Sequence, residues 1–388
     1  MAVGFPQLWS RWVAGGFKAW PIFSSRSRNV PICLTWRPRV PSSARYSLLD
    51  PTIPKRIRQL DLSGTSEQLE TILGDLGALD LSPCSNLSSI RLHIFPHDSR
   101  RPQVSITRFL SSSFPKLSQL DLASFLPDLS SPVLTTSRLT SLKLFLPYGK
   151  KNRYTLSQFS HILQRHPNLL ELDLNHDAIP QPGSSGSPPI FFTLPHLVTL
   201  RLYGTEAAIL GFLDFVGMSS PLHDVVVRFS RFQDFNAIAL ASTVKKILVA
   251  YYECQGLDHL RKVNHITISS NSEKAHLAFA TRSHPVPTPN LRSNLRIQFN
   301  VISERDRNAM VQETIPLFPL DDLRGLAFEG SALYGDVCAE ILWRTKNLSH
   351  LRLDDLDIWP ALDALTSNDP GMFKAVTKTM LINPRMHT

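Results

Sequence analysis

Cysteine is scarce in this chain of 388 residues: Cys33, Cys84, Cys254 and Cys338 are all there is. No two stand at the spacing of a zinc finger or a redox pair, so a disulfide framework and a thiolate metal site are not expected. Buried apolar cysteines in a reducing compartment are. Long apolar runs are missing too. No stretch reaches 18 residues, and a membrane-spanning helix is not expected. The chain has no glycine-rich phosphate loop, no H-E-x-x-H and no G-x-S-x-G nucleophile elbow. His161 and His166 lie five apart, off the i, i+4 spacing that puts two ligands on one helix face, and read as surface or helix-end residues. The acidic pairs Asp321-Asp322 and Asp354-Asp355 have no histidine nearby and read as strand or helix ends. These absences point away from an enzyme and from any cofactor.

Acid is absent from residues 1–49, which hold seven basic residues: Arg11, Lys18, Arg26, Arg28, Arg37, Arg39 and Arg45. The formal net charge is +9, from 41 basic and 32 acidic residues. Beyond the N-terminal segment, 34 basic residues therefore face 32 acids, and the body is close to neutral. That distribution argues against nucleic acid, which needs one sign of charge in a row. The basic, Ser-rich start has the charge bias of a mitochondrial transit peptide, but Pro6, Gly15, Gly16 and Pro21 break any long amphipathic helix.

What the chain does have is leucine at fixed intervals. Thr155–Leu174 reads as one complete unit. Thr155 and Gln158 form a T-x-x-Q helix start in which each side chain satisfies the other's backbone N–H. Leu156, Phe159, Ile162 and Leu163 recur at helical spacing, and Pro167 ends the helix. Leu169–Leu174 then reads L-x-x-L-x-L. The same strand pattern starts at Ile57, Leu87, Leu117, Leu139, Leu197, Leu323 and Leu348, with steps of 22 to 30 residues among the first six copies. A strand plus a helix at that period is a leucine-rich repeat. The fold expected is α/β: a curved, leucine-rich-repeat-like solenoid with a parallel sheet on the concave face and helices outside. It divides into a basic, Trp-rich segment, 1–54, ending in a linker, and an irregular repeat array, 55–388.

Between the clear repeats, Ser66–Leu76 reads as an amphipathic helix and the pseudo-repeat Leu76–Leu81 as loop. Ala207–Met218 reads as an apolar helix. From 222 to 300 the leucines thin out, and Val225–Val227, Ile247–Val249, Ile266–Ile268 and Leu295–Ile297 read as β-branched strands. Ser303–Leu317 returns to helix, and Met380–Ile382 reads as a strand. The segment Val30–Trp36 is also strand-like and, with the tryptophans around it, is expected to pack on the first repeats.

In L-x-x-L-x-L, alternation sends the fourth and sixth residues inward and the third and fifth to the open face. The fifth positions are Asp61, Arg91, Asp121, Lys143, Asp173 and Arg201, and their sign alternates at every step. These six are the candidate partner-binding residues. They read either as a ladder of weak ion pairs or as a patterned surface for a protein. The asparagine that often follows such a strand is missing; Thr65, Phe125, Asp177 and Thr205 stand there instead.

Pro6-Gln7-Leu8-Trp9-Ser10 resembles the P-x-L-W-S that closes the F-box in families of fungal F-box proteins. Arg26-Ser27 followed by Pro31-Ile32-Cys33-Leu34 is similar to the stretch after it there. Thr155–Leu169 resembles their S-L-S-Q-F helix, and Leu194–Leu197 with Gly204 matches as well. The resemblance implies a leucine-rich-repeat receptor that holds substrates for a ubiquitin ligase, in cytoplasm or nucleus. Only Met1–Phe5 stands where the adaptor-gripping helices belong, so the chain as written is not expected to bind the ligase adaptor. A truncated F-box protein and a free-standing scaffold both remain open, each with a protein partner on the concave face.

Overall fold

A computed structural model describes residues 11–14, 30–36, 54–78, 86–95, 104–135, 138–146, 154–180, 191–218, 222, 224–229, 241–248, 265–270, 275–280, 295–299, 304–318, 320, 323–329, 340–342, 344–345, 348–354 and 379–383. The chain forms two compact units, Met1–His196 and Leu197–Thr388.

The first unit alternates strand and helix. Its strands are β1 (Arg11–Ala14), β2 (Ile32–Trp36), β3 (Ile57–Gly64), β4 (Ser89–Ile94), β5 (Gln119–Ala123), β6 (Ser141–Leu146), β7 (Glu171–His176) and the short β8 (Phe192–Leu194). The helices are α1 (Ser66–Ala78), α2 (Val104–Leu110), α3 (Pro132–Thr135) and α4 (Leu156–Gln164). β1 to β7 pair side by side in chain order, each parallel to the next. Strand and helix follow from period. Along β4 burial alternates residue by residue, whereas α4 buries Leu156, Phe159, Ile162 and Leu163 on one stripe. The leucine rows of the strands and the apolar stripes of the helices are both buried, and this is the core. α1 ends at Ala78, so Leu76–Ala78 is helix rather than loop.

From β4 to β7 the strands begin two residues later than the leucine pattern. The first leucine lies in the approach to the strand, as with Leu87, Leu117, Leu139 and Leu169, all buried. The second residue carries a ladder of its own. Ser88 Oγ donates to the Arg58 carbonyl, Ser118 Oγ to that of Ser88, and Thr140 Oγ1 to that of Ser118, each at 3.1 Å. The same carbonyls also accept backbone N–H groups: Ser88 O from Ser118 and Gln119, and Ser118 O from Thr140 and Ser141. Hydroxyls thus link repeat to repeat where no asparagine is available. Thr65 and Thr205, at the asparagine positions, cap helices instead. Thr65 and Gln68 form the same reciprocal cap as Thr155 and Gln158.

His166 follows α4 and is buried at 1% exposure. Its Nδ1 accepts from the Leu139 N–H and its Nε2–H donates to the Leu134 carbonyl, so from the end of α4 it ties α3 to the approach to β6 and is a helix-end rather than a surface residue. His161 is exposed.

The second unit has β9 (Thr199–Gly204), β10 (Val216–Met218), β11 (Asp224–Phe229), β12 (His265–Ser270), β13 (Ala275–Ala280), β14 (Leu295–Phe299), β15 (Gly325–Glu329), β16 (His350–Asp354) and β17 (Thr379–Asn383). Its helices are α5 (Glu206–Leu213), α6 (residues 241–248) and α7 (Glu304–Thr314). β11 pairs with β9 and with β14; β14 leads to β13, then β12, β15, β16 and β17. β13 runs antiparallel to both its neighbours, so the strands of this unit are mixed in direction, against the expectation of a purely parallel sheet. Two further expectations are corrected. Ile247 and Leu248 lie in α6, where Val244, Ile247 and Leu248 are buried and Lys245 and Lys246 exposed, a helical rather than an alternating pattern. The helix expected over Ala207–Met218 stops at Leu213, capped by Asp214, and β10 follows. The expected linker before Pro54 and the P-x-L-W-S stretch lie outside the described residues.

Candidate functional site

Five of the six candidate residues stand in one row of the first unit's strands. Asp61 pairs in register with Arg91, Arg91 with Asp121, Asp121 with Lys143, and Lys143 with Asp173. Buried leucines on either side in sequence, such as Leu60 and Leu62 or Leu120 and Leu122, fix each strand's facing, so these side chains emerge on the face opposite the core. All five are half-buried.

Arg91 is the centre of the row. Its Nε donates to Asp121 Oδ2 at 2.8 Å, and its Nη1 lies 3.6 Å from Asp61 Oδ2. His93, one alternation further along β4, places Nε2 at 2.8 Å from Asp121 Oδ1. Both oxygens of Asp121 are therefore engaged. Burial pushes its carboxyl up, but the hydrogen bonds and charges of His93 and Arg91 push harder, and the net shift is down. For Arg91 burial acts against the charge, and Asp121 and Asp61 more than restore it, so its ordinary high value rises further.

At the other end of the row the register neighbours do not pair. Lys143 Nζ reaches Glu171 Oε1 at 2.7 Å, and Ser141 Oγ donates to Glu171 Oε2 at 2.8 Å. Asp173 accepts from Asn175 Nδ2 at 2.7 Å. Glu171 and His93 are the partners within this face that the fifth positions alone miss. Both stand two residues from a fifth position, and the same period-two rule places them on this face.

Arg201 belongs to the second unit, where its Nη2 pairs with Asp224 Oδ2 at 2.9 Å. In register, its row runs through Val226, Arg296, Ala278 and Thr267. It goes on to Ala327, Arg352 and Leu381. Alternation of sign stops here: the row has three arginines and no carboxylate.

Among the described residues, no group of three or more His, Cys, Asp or Glu side chains is gathered to hold a metal, and no helix is long and apolar enough to cross a membrane. No protein-family model matches the chain, and no curated protein matches it either.

Proposed function

We propose that the chain is a leucine-rich-repeat-like solenoid that binds a protein partner on the open face of its sheet, and that it is the substrate-recognition part of an F-box-type ubiquitin-ligase receptor. One observation carries the binding part of this reading. Five consecutive strands hold charged side chains in register, on a face whose groups are half-buried, mutually oriented and not used by the core. Such a row sets partner choice more than it sets stability, because a misplaced like charge across an interface costs several kcal/mol whereas an exposed pair contributes about 0.2–1 kcal/mol. The ligase part rests on the motifs around Pro6, Arg26 and Thr155.

The test is Asp121→Lys, which puts a lysine between Arg91 and Lys143. Proximity labelling in the source cell, with wild type and variant side by side, gives the partner set, and thermal melts give stability. The expected result is loss of specific partners from a chain that still melts cooperatively, with its Tm lowered only as far as the lost contacts of Asp121 to Arg91 and His93 require. An unchanged partner set beside a lowered Tm makes the row structural. Enrichment of a ligase adaptor supports the receptor; partners without it make the chain a free-standing scaffold.

A further inference from the structure

The strands of the first unit share a rim where the chain enters them, and that rim carries exposed cations with no carboxylate among them. The backbone fixes it. The N–H of Ser88 reaches the Arg58 carbonyl, that of Ser118 the Ser88 carbonyl, that of Thr140 the Ser118 carbonyl and that of Leu170 the Thr140 carbonyl. Each strand therefore adds one equivalent approach, at steps of about 4.8 Å. Two residues before each of these stand Arg56, Asn86, Lys116, Arg138 and Asn168. The last four are exposed, as are Lys55, Arg58 and Arg165 in the same approaches. The described approach residues, 54–58, 86–88, 114–118, 138–140 and 165–170, include no Asp or Glu. Among the described residues, none of Lys55, Arg58, Lys116, Arg138 and Arg165 forms an ion pair.

The rim is also ordered. Asn86 Nδ2 donates to the Lys55 carbonyl at 3.1 Å, and Lys116 Nζ donates to Asn86 Oδ1 at 2.8 Å. A neutral amide thus positions the Lys116 ammonium without cancelling its charge. The hydroxyls of Ser88, Ser118 and Thr140 are spent on the carbonyl ladder, so contacts to an anion fall to the cations.

We propose that this rim is a second interaction surface, which binds an acidic, Asp- or Glu-rich protein segment laid across the starts of β3 to β7. Arg138 and Arg165 supply planar forks that grip a carboxylate through two hydrogen bonds, and Lys55 and Lys116 supply point charges. The proposal goes beyond the open-face row and does not depend on it. Four strand steps span roughly 20 Å, the length of about six residues of extended chain. A single-stranded nucleic acid fits less well, because none of the described approach residues is an exposed aromatic on which a base could stack.

The experiment uses the full chain and a fluorescein-labelled oligo-glutamate peptide, titrated at low and at physiological salt. The peptide is expected to bind with an affinity that falls as salt rises. Arg138→Gln should weaken it about threefold, Arg138→Glu about fivefold, and Lys116→Glu with Arg138→Glu more than about tenfold. Melts should stay near wild type, because both side chains are exposed. Arg228→Glu, the same exposed charge change in the second unit, should leave binding as it is. Absence of binding at low salt, equal loss in Arg228→Glu, or no effect of the double variant would each overturn the proposal. So would a single-stranded oligonucleotide, or phosphatidylserine vesicles, binding as tightly as the peptide and lost in the double variant. Asp121→Lys should not weaken the peptide; if it does so as much as the double variant, the peptide sits on the open face and the rim proposal falls. Failure at the rim leaves the open-face reading standing on its own test.

Discussion

Gly64 shows how much one missing methyl group decides. A Cβ there would meet Trp36 Cζ3 and Gln68 Oε1 at 2.9 Å each, closer than real contacts allow. The Trp36 ring is 4% exposed, and Gln68 Oε1 is already accepting from the Thr65 N–H in the cap of α1. Gly64→Ala therefore pushes on the N-terminal strand and on a helix cap together. It should cost about 1–3 kcal/mol, read as a lower urea midpoint. Adding Trp36→Phe should recover part of that loss, and strict additivity would show that the ring does not lie against this backbone. Asp121 makes the second residue-level prediction. Its folded carboxyl titrates lower than the ordinary value of about 3.9, so its clamp contributes stability above that pH and loses it as pH falls through the depressed folded value. Urea midpoints for wild type and Asp121→Asn should differ at pH 6 and converge towards pH 2. A difference that stays constant would mean that Arg91 and His93 do not favour the carboxylate.

At the scale of the element, the hydroxyl ladder explains an oddity. Leu170 holds the position that Ser88, Ser118 and Thr140 hold in earlier repeats. It has no hydroxyl to donate and is 46% exposed, although its N–H still reaches the Thr140 carbonyl at 2.8 Å. Leu170→Ser should therefore be neutral or stabilise by about 0.5–1 kcal/mol, through a new bond to Thr140 O. Leu169→Ser, at a fully buried neighbour, should cost at least about 2 kcal/mol. Matched melts compare the two, and a large loss in Leu170→Ser would show that this leucine is packed. The pair also shows what was legible. Period two and leucine spacing announced the strands around Leu60, Ile90, Leu120 and Leu172, because burial enforces both. They could not show that the first leucine precedes the strand, since the approach buries that residue as fully as the sheet does. Ile247-Leu248-Val249 looked like a strand because three apolar residues fit either period; only Thr243, Val244 and the exposed lysines reveal the helix. The direction of β13 is not written in alternation at all. At the candidate site, the row Asp61 to Asp173 follows from register, but Lys143's choice of Glu171 over Asp173 depends on how far a long side chain reaches.

For the molecule as a whole, the N-terminal strands belong to the fold. β2 lies parallel to β3, with Ile32 opposite Ile57, Leu34 opposite Leu60 and Trp36 opposite Leu62. Ile32, Leu34 and Trp36 are 0%, 2% and 4% exposed, and Arg56 Nη2 donates to the Val30 carbonyl at 3.2 Å. Burying each such side chain contributes about 1.5–3 kcal/mol, so losing three of them removes several kcal/mol from the first unit and uncovers the edge of β3. A transit-peptide cut near residue 40 would do that. Retention of Val30–Trp36 in the mature chain is therefore expected. N-terminal sequencing and intact mass of the native protein should find a start upstream of Val30, and a recombinant chain beginning at residue 40 should aggregate or lose the cooperative melt of its first unit. A native start near residue 40, with that melt intact, would mean that β2 is dispensable and that the basic segment is a leader after all.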